Sequence, residues 1–122
     1  MFDNLASASS YIDSGEVVPL AVTTQARSGF LTDVPTMQES GFEKFDLSTW
    51  IGVLAPTGTP EAIVAKLNET ITAVLREPTV AEVFAAQRAE ILAAGPAEFA
   101  SFIDSEIARY AKIIEDGNLS LD

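Results

Sequence analysis

The spacing of apolar positions predicts three helices in the second half of the chain and two strands in the first half. Apolar residues recur every three to four positions after Pro60, after Pro78 and after Pro96, which is typical of helices with one buried face. Val17–Thr24 and Leu47–Ala55 are instead rich in β-branched and apolar residues, which indicates buried strands.

Two of the predicted helices carry long apolar stripes. The helix after Pro60 presents Ile63, Val64, Leu67, Ile71, Val74 and Leu75. The last helix, which we expect Gly117 to end, presents Phe99, Phe102, Ile103, Ile107, Tyr110 and Ile114. Helical spacing places each set on one face. We expect the stripe of the last helix to pack into a core, and the alternative is a surface for a partner helix.

Single residues and short motifs predict where several helices and turns begin or end. Residues 5–14 are expected to form a helix that Gly15 ends from a left-handed conformation. Thr36 and Glu39 have the spacing of a capping box, which predicts a short helical turn. Thr59 is the expected N-cap of the helix after Pro60.

The predicted fold class is α/β, with few strands flanked by helices and an incomplete sheet. The order is helix, strand, turn, strand and three helices, with a short edge strand at Glu90–Leu92. The chain has 122 residues, which suits a single unit spanning residues 1–122. So few strands among so much helix indicate part of a larger α/β fold.

Charge and composition argue against several classes of function. Eighteen acidic residues face seven basic ones, and a net charge of −11 disfavours nucleic acid and anionic lipid as partners. Cysteine nucleophiles, disulfides, Cys/His zinc sites and Ser-His-Asp triads are excluded, because the chain has neither Cys nor His. No motif pairs two carboxylates at a defined catalytic site, so we expect no enzyme, no metal and no cofactor.

Several ordered motifs resemble one protein family. The start MFDN with its short helix and the segment VVPLAVTT resemble a strand–helix–strand unit of that family. The other matching motifs are Arg27-Ser28, Asp33-Val34-Pro35-Thr36, Glu39-Ser40-Gly41, Trp50-Ile51-Gly52, Ala55-Pro56, Gly58-Thr59-Pro60, Leu67-Asn68 and Gly95-Pro96-Ala97-Glu98-Phe99. On these residues the chain resembles the substrate-binding receptors of the tripartite tricarboxylate transporters, also called Bug-type receptors.

The resemblance implies part of a type II, Venus-flytrap periplasmic-binding-protein fold. Receptors of this family capture small carboxylates in the periplasm and deliver them to a membrane permease, without catalysis. By this resemblance, residues 1–49 belong to the second lobe, residues 50–60 form a crossover, and the helices of residues 61–122 pack on the first lobe. The chain resembles only the C-terminal portion of the family, and no export signal follows Met1, so we expect no signal peptide in this chain.

Asp3, Asn4 and Ser7 are the candidate ligand-binding residues. They lie at a strand-to-helix turn, where ligands bind in open α/β folds. Backbone N–H groups there could hold a carboxylate, and Asp3 could accept a hydrogen bond from a ligand amine or hydroxyl. The alternative is that Asp3 or Asn4 only caps the helix.

Other residues also have two interpretations each. Trp50 and Gly52 are the candidate hinge in the crossover, although Trp50 could be a core residue and Gly52 a packing glycine. Arg27 could bind a carboxylate, or it could pair with Asp33 or Glu39. Solvated helix faces are expected for Glu69, Glu82, Glu98, Asp104, Glu106 and Glu115.

Two functions remain open at this stage. The first is a solute-binding receptor, in which half a cleft would bind carboxylates weakly. The second is an interaction module without solute binding, which would form a homo-oligomer because apolar faces lack their usual cover.

Overall fold

The computed structural model describes residues 1–119 of the chain. Its helices are α1 (Leu5–Asp13), α2 (Glu61–Leu75), α3 (Pro78–Ala86) and α4 (Pro96–Asp116). These four helices lie where the sequence predicts them.

The chain divides into two compact units. Unit 1 comprises Met1–Leu54 together with Glu82–Glu90, and unit 2 comprises Ala55–Ala81 and the chain from Ile91 onward. The boundary between Leu54 and Ala55 falls inside the predicted crossover. The assignment of these segments to receptor lobes stays a prediction.

The strand predicted at Val17–Thr24 does not form. Within residues 1–119 the only bridge is an isolated parallel pairing, in which the Val22 N–H donates to Pro35 O and the Met37 N–H donates to Val22 O, each at 2.9 Å. In one direction the next ladder bond would need an N–H from Pro35, which proline lacks. In the other direction the next bond would run from the Thr24 N–H to Met37 O, which accepts the N–H groups of Ser40 and Phe42 instead.

The strand predicted at Leu47–Ala55 is also absent, and so is the edge strand at Glu90–Leu92. The Leu47 N–H donates to Thr23 O at 2.9 Å, which aligns the two apolar segments at one point. Ile51 is 97% exposed, so this segment is not buried as a strand between helices would be. Apolar composition alone does not make a strand, because a strand needs a neighbour with which to form a continuous ladder.

α1 ends as the sequence predicts. Gly15 has φ 76°, its N–H donates to Ile12 O at 3.0 Å, and the Glu16 N–H donates to Tyr11 O at 2.9 Å. These two bonds form a Schellman motif, which satisfies carbonyls at the helix end. The left-handed backbone explains the glycine, because a Cβ there is strained.

The predicted capping box of Thr36 and Glu39 is confirmed. The Thr36 N–H donates to Glu39 Oε2 at 2.7 Å, and the Glu39 N–H donates to Thr36 Oγ1 at 3.0 Å. Gly41, at φ 96°, closes the turn with a second Schellman pattern, in which the Phe42 N–H donates to Met37 O at 3.0 Å. Thr36 is only 3% exposed, so the box lies at the most enclosed point of unit 1.

Arg27 pairs with Glu39, as one of its two interpretations predicts. Its Nε lies 2.9 Å from Glu39 Oε2, and its Nη1 donates to Thr32 O at 3.1 Å. The Arg27 hydrogen bond, followed by that from the Thr36 backbone, holds the pKa of Glu39 below its ordinary value. The same pairing raises the pKa of Arg27. The guanidinium is therefore engaged in holding its own loop.

In unit 2, α2 and α4 contact each other. The half-buried positions of α2 are Val64, Asn68, Thr72 and Leu75. The more enclosed positions of α4 are Phe99, Phe102, Ile103, Glu106 and Arg109. Both sets repeat at helical spacing, so each helix has one packed face that includes polar side chains.

Only part of each apolar stripe lies on the packed face of its helix, and the rest is exposed, which corrects the expectation of a buried core. Ile63, Leu67, Ile71 and Val74 of α2 are 36–50% exposed. On α4, Ile107 is 63%, Tyr110 43% and Ile114 51% exposed. At 100° per residue, each exposed stripe is centred roughly 90° from the packed face of its helix.

Glu106 is a second correction, since a solvated face was expected. It is only 3% exposed, and its Oε1 lies 2.8 Å from Nη1 of Arg109, one turn further along α4. A carboxylate tolerates burial when an opposite charge is this close.

Two helix ends differ by one residue from the prediction. Pro60 and not Thr59 is the N-cap of α2, because the Thr59 hydroxyl donates to Pro56 O at 2.8 Å and closes the preceding turn. At the end of α4, Gly117 is the C-cap, with φ −84°, and Asn118 takes the left-handed position, with φ 47°.

Many large hydrophobic side chains are exposed in the structure. Among residues 1–119 no hydrophobic side chain is buried. The chain exposes 9567 Å², whereas a compact protein of its 13.0 kDa exposes roughly 6,300 Å². Even two separate domains of half that mass would expose only roughly 7,600 Å². The excess is therefore independent of how the two units are arranged.

Loss of the capping box should destabilise unit 1. We expect Thr36→Ala to lower the free energy of unfolding by about 1 kcal/mol, because it leaves the Glu39 N–H without its acceptor. Urea unfolding followed by circular dichroism measures this. Thr57→Ala, at an exposed position in the 55–60 turn, is the matched control. Equal stability of the two variants would show that the box does not hold the turn.

The ion pair should make stability depend on pH in the acidic range. The pKa of Glu39 is lowered in the folded state, so its contribution is complete above the ordinary glutamate pKa of about 4.3 and is lost as pH falls through the lowered value. We expect Glu39→Gln to reduce stability at neutral pH and to flatten its decline in acid. Urea unfolding at a series of pH values measures both. An unchanged acid slope in the variant would contradict this.

Candidate functional site

The structure brings Asp3, Asn4 and Ser7 together at the start of α1. Asn4 is the N-cap, with extended backbone angles and no side-chain capping bond. Asp3 Oδ1 accepts the Asn4 N–H at 2.8 Å and lies 3.2 Å from the Ser7 hydroxyl. The Ser7 hydroxyl also lies 3.1 Å from Asn4 O, so it can donate to either acceptor.

This group combines acceptors and donors in an exposed position. All three residues are exposed, and the first turn of α1 carries no acidic residue of its own. Backbone N–H groups of a first turn attract anions. The Asp3 carboxylate next to them repels a second carboxylate and attracts an ammonium or hydroxyl group. The arrangement therefore suits a ligand that carries donors as well as an acid group.

An aromatic pair flanks this turn, and sequence reasoning missed it. The rings of Phe2 and Phe45 stack with centroids 6.1 Å apart and planes 14° from parallel. Phe2 remains 73% exposed, directly before Asp3. The only sequence signal was an aromatic residue next to the candidate site, because nothing in the pattern linked positions 2 and 45.

Trp50 and Gly52 lie in the irregular segment that ends unit 1. Both are exposed, and the boundary between the units follows at Leu54 and Ala55. Trp50 is 37% exposed, which corrects its alternative interpretation as a core residue. Their role as a hinge stays a prediction.

Residues 1–119 contain neither a metal-binding cluster nor a membrane-spanning helix. No group of three or more His, Cys, Asp or Glu side chains among them is placed to hold a metal ion. None of the described helices has both the length and the apolar character needed to span a membrane.

Known proteins resemble this chain along nearly its whole length. The model of the tripartite tricarboxylate transporter family receptors matches residues 1–119. Protein BugT of Bordetella pertussis is 36% identical over 119 residues, which cover 98% of this chain and 36% of that protein. A protein from the tcbD-tcbE intergenic region of Pseudomonas sp. strain P51 is 33% identical over 121 residues, with the same two coverages.

A solved structure shares the fold. The periplasmic binding protein BugD superposes with a TM-score of 0.77 and 32% identity, over 93% of this chain and 38% of that protein. The chain thus spans a little over a third of the length of these relatives. The predicted fold class, part of a periplasmic-binding-protein fold, is confirmed, although the predicted strands do not form within residues 1–119. The chain belongs to the tripartite tricarboxylate transporter family of receptors, and its fold is that of part of a Bug-type periplasmic binding protein.

Proposed function

We propose that this chain is part of a periplasmic solute-binding receptor that supplies small carboxylates to a tripartite tricarboxylate transporter. The observation that carries the proposal is the family match over residues 1–119, together with the fold shared with BugD. The family is one of receptors and not of enzymes, and we propose that this chain likewise performs no catalysis. Its partner would be the membrane permease.

The ligand would contact the first turn of α1. Asp3, Asn4 and Ser7 offer a carboxylate, a side-chain amide and a hydroxyl within one turn. Backbone N–H groups would take the ligand carboxylate, and Asp3 would accept from a ligand amine or hydroxyl. Binding by this chain alone would be weak, since it spans about a third of its relatives' length.

The lobe organisation is part of the same proposal. Residues 1–49 would belong to the second lobe, and residues 61–122 would pack on the first. Trp50 and Gly52 would form a hinge in the crossover of residues 50–60. The division of the chain between Leu54 and Ala55 supports a crossover in this region.

Titration of isotope-labelled protein with small carboxylates tests the ligand site. Using aspartate, succinate, citrate and benzoate as probes, we expect amide shifts centred on Asn4–Ser7, with dissociation constants of about 1 mM or weaker. We expect Ser7→Ala to weaken binding several-fold, because it removes a donor from the first turn. Ser10→Ala, further along α1, is the matched control. Shifts centred elsewhere, or equal effects of the two variants, would count against this site.

An alternative function is a self-associating interaction module without solute binding. The exposed stripes on α2 and α4 favour it, since exposed apolar patches of this kind drive association. Under this alternative, a second copy would cover the stripes. The net charge of −11 opposes such contacts, so association should strengthen as salt screens the repulsion.

Sedimentation velocity tests this alternative. We expect wild-type protein at micromolar concentration to sediment as an oligomer, more so at high salt. Ile107→Glu should shift it toward monomer, because it places a charge on the exposed stripe of α4. Ala108→Glu adds the same charge 100° around the helix and serves as the control. A compact wild-type monomer at micromolar concentration would eliminate the alternative.

A further inference from the structure

Residues 82–90 belong to unit 1, although the segments on both sides of them belong to unit 2. Two side chains near the end of this segment contact residues that lie far earlier in the sequence. Arg88 Nη2 lies 2.7 Å from Asp13 Oδ2 at the end of α1. Glu90 Oε1 accepts the Gly29 N–H at 3.3 Å. These contacts join positions 75 and 61 residues apart.

Arg88 is held by more than its ion pair. Its guanidinium carbon lies 5.9 Å from the centroid of the Phe30 ring, within cation–π range. Its backbone is left-handed, with φ 55°, and closes α3 through N–H bonds from Arg88 to Ala85 O and from Ala89 to Phe84 O. An arginine in this conformation is unfavourable by itself. The contacts of its side chain therefore compensate for a strained backbone.

Unit 2 resumes at Ile91, and a side-chain bond to α2 follows at Ala94. Ala94 O accepts a hydrogen bond from Nδ2 of Asn68 on α2, at 3.3 Å. Glu90 is thus fixed to unit 1 and Ala94 to unit 2, and only Ile91–Ala93 lie between them. Ala93 also has a left-handed backbone, with φ 47°. Strain of this kind persists only where the surroundings impose it.

We propose that Arg88 and Glu90 form a clamp that fixes residues 82–90 to unit 1 and confines the passage into unit 2 to Ile91–Ala93. The Arg88 side chain pairs with Asp13 at the end of α1, and the Glu90 side chain accepts the Gly29 N–H. The clamp determines that residues 82–90 pack with unit 1, although the segments on both sides of them belong to unit 2. This inference does not depend on solute binding.

Hydrogen exchange read by mass spectrometry tests the clamp. Arg88→Asn removes the side-chain contacts, while asparagine tolerates the left-handed backbone. We expect exchange in residues 82–91 to be about two- to fivefold faster, with α2 and α4 unchanged. Arg76→Asn, which removes an equal charge at the C-cap of α2, should leave residues 82–91 unchanged.

Four further results decide the proposal. The charge swap Asp13→Arg with Arg88→Asp should restore part of the protection. Unchanged exchange in Arg88→Asn would overturn the clamp, and so would equal acceleration along the whole chain. Because the chain has no cysteine, Ser10→Cys and Ala73→Cys can carry spin labels on the two units. The distance distribution should widen when Arg88→Asn and Glu90→Ala are combined, and an unchanged distribution would overturn the passage at Ile91–Ala93.

Discussion

A helix that packs against one neighbour can bury one face, and α2 and α4 each have more apolar surface than one face can hide. Their packed faces hold part of each apolar stripe together with Asn68, Glu106 and Arg109, whereas the rest of each stripe faces solvent. Burial of apolar surface is the main favourable term in folding, at about 25 cal/mol per Å². The exposed stripes therefore represent stabilisation that these two helices can gain only from a further surface. This exposed apolar surface limits the stability that the chain can reach alone.

Over the described part of the chain no hydrophobic side chain is buried, and hydrogen-bonded turns and helix ends fix the backbone locally. Schellman motifs at Gly15 and Gly41 end α1 and the capped turn, and the capping box of Thr36 and Glu39 starts that turn. Arg27 adds an ion pair to the same turn. Such interactions contribute modestly one at a time, because most are exposed to solvent. These interactions fix local conformation but do not join segments that are far apart in the sequence. The contacts of Arg88 and Glu90 do join such segments within unit 1.

Sequence reasoning succeeded where the signal was local. The four helices, Gly15 and the capping box could be predicted, because each depends on residues within a few positions of one another. The strands could not be excluded, because the ladder stops at Pro35, which has no N–H, and at Met37 O, which accepts other N–H groups. Both effects depend on register. The pairing of Phe2 with Phe45 and the clamp from Arg88 to Asp13 were equally invisible, since nothing in the pattern linked those positions. The apolar stripes were visible in the sequence, but their spacing does not indicate which surface packs against them.

The family identity and the open apolar faces lead to one account of the molecule. A receptor of this family is about three times as long, so the same fold in a longer protein has far more surface against which to pack. In this chain the exposed stripes should recruit a partner surface before the fold reaches full stability. The midpoint of thermal unfolding, measured over about a hundredfold range of protein concentration, tests this most directly. The account predicts a midpoint that rises with concentration, and a cooperative transition with a constant midpoint would contradict it.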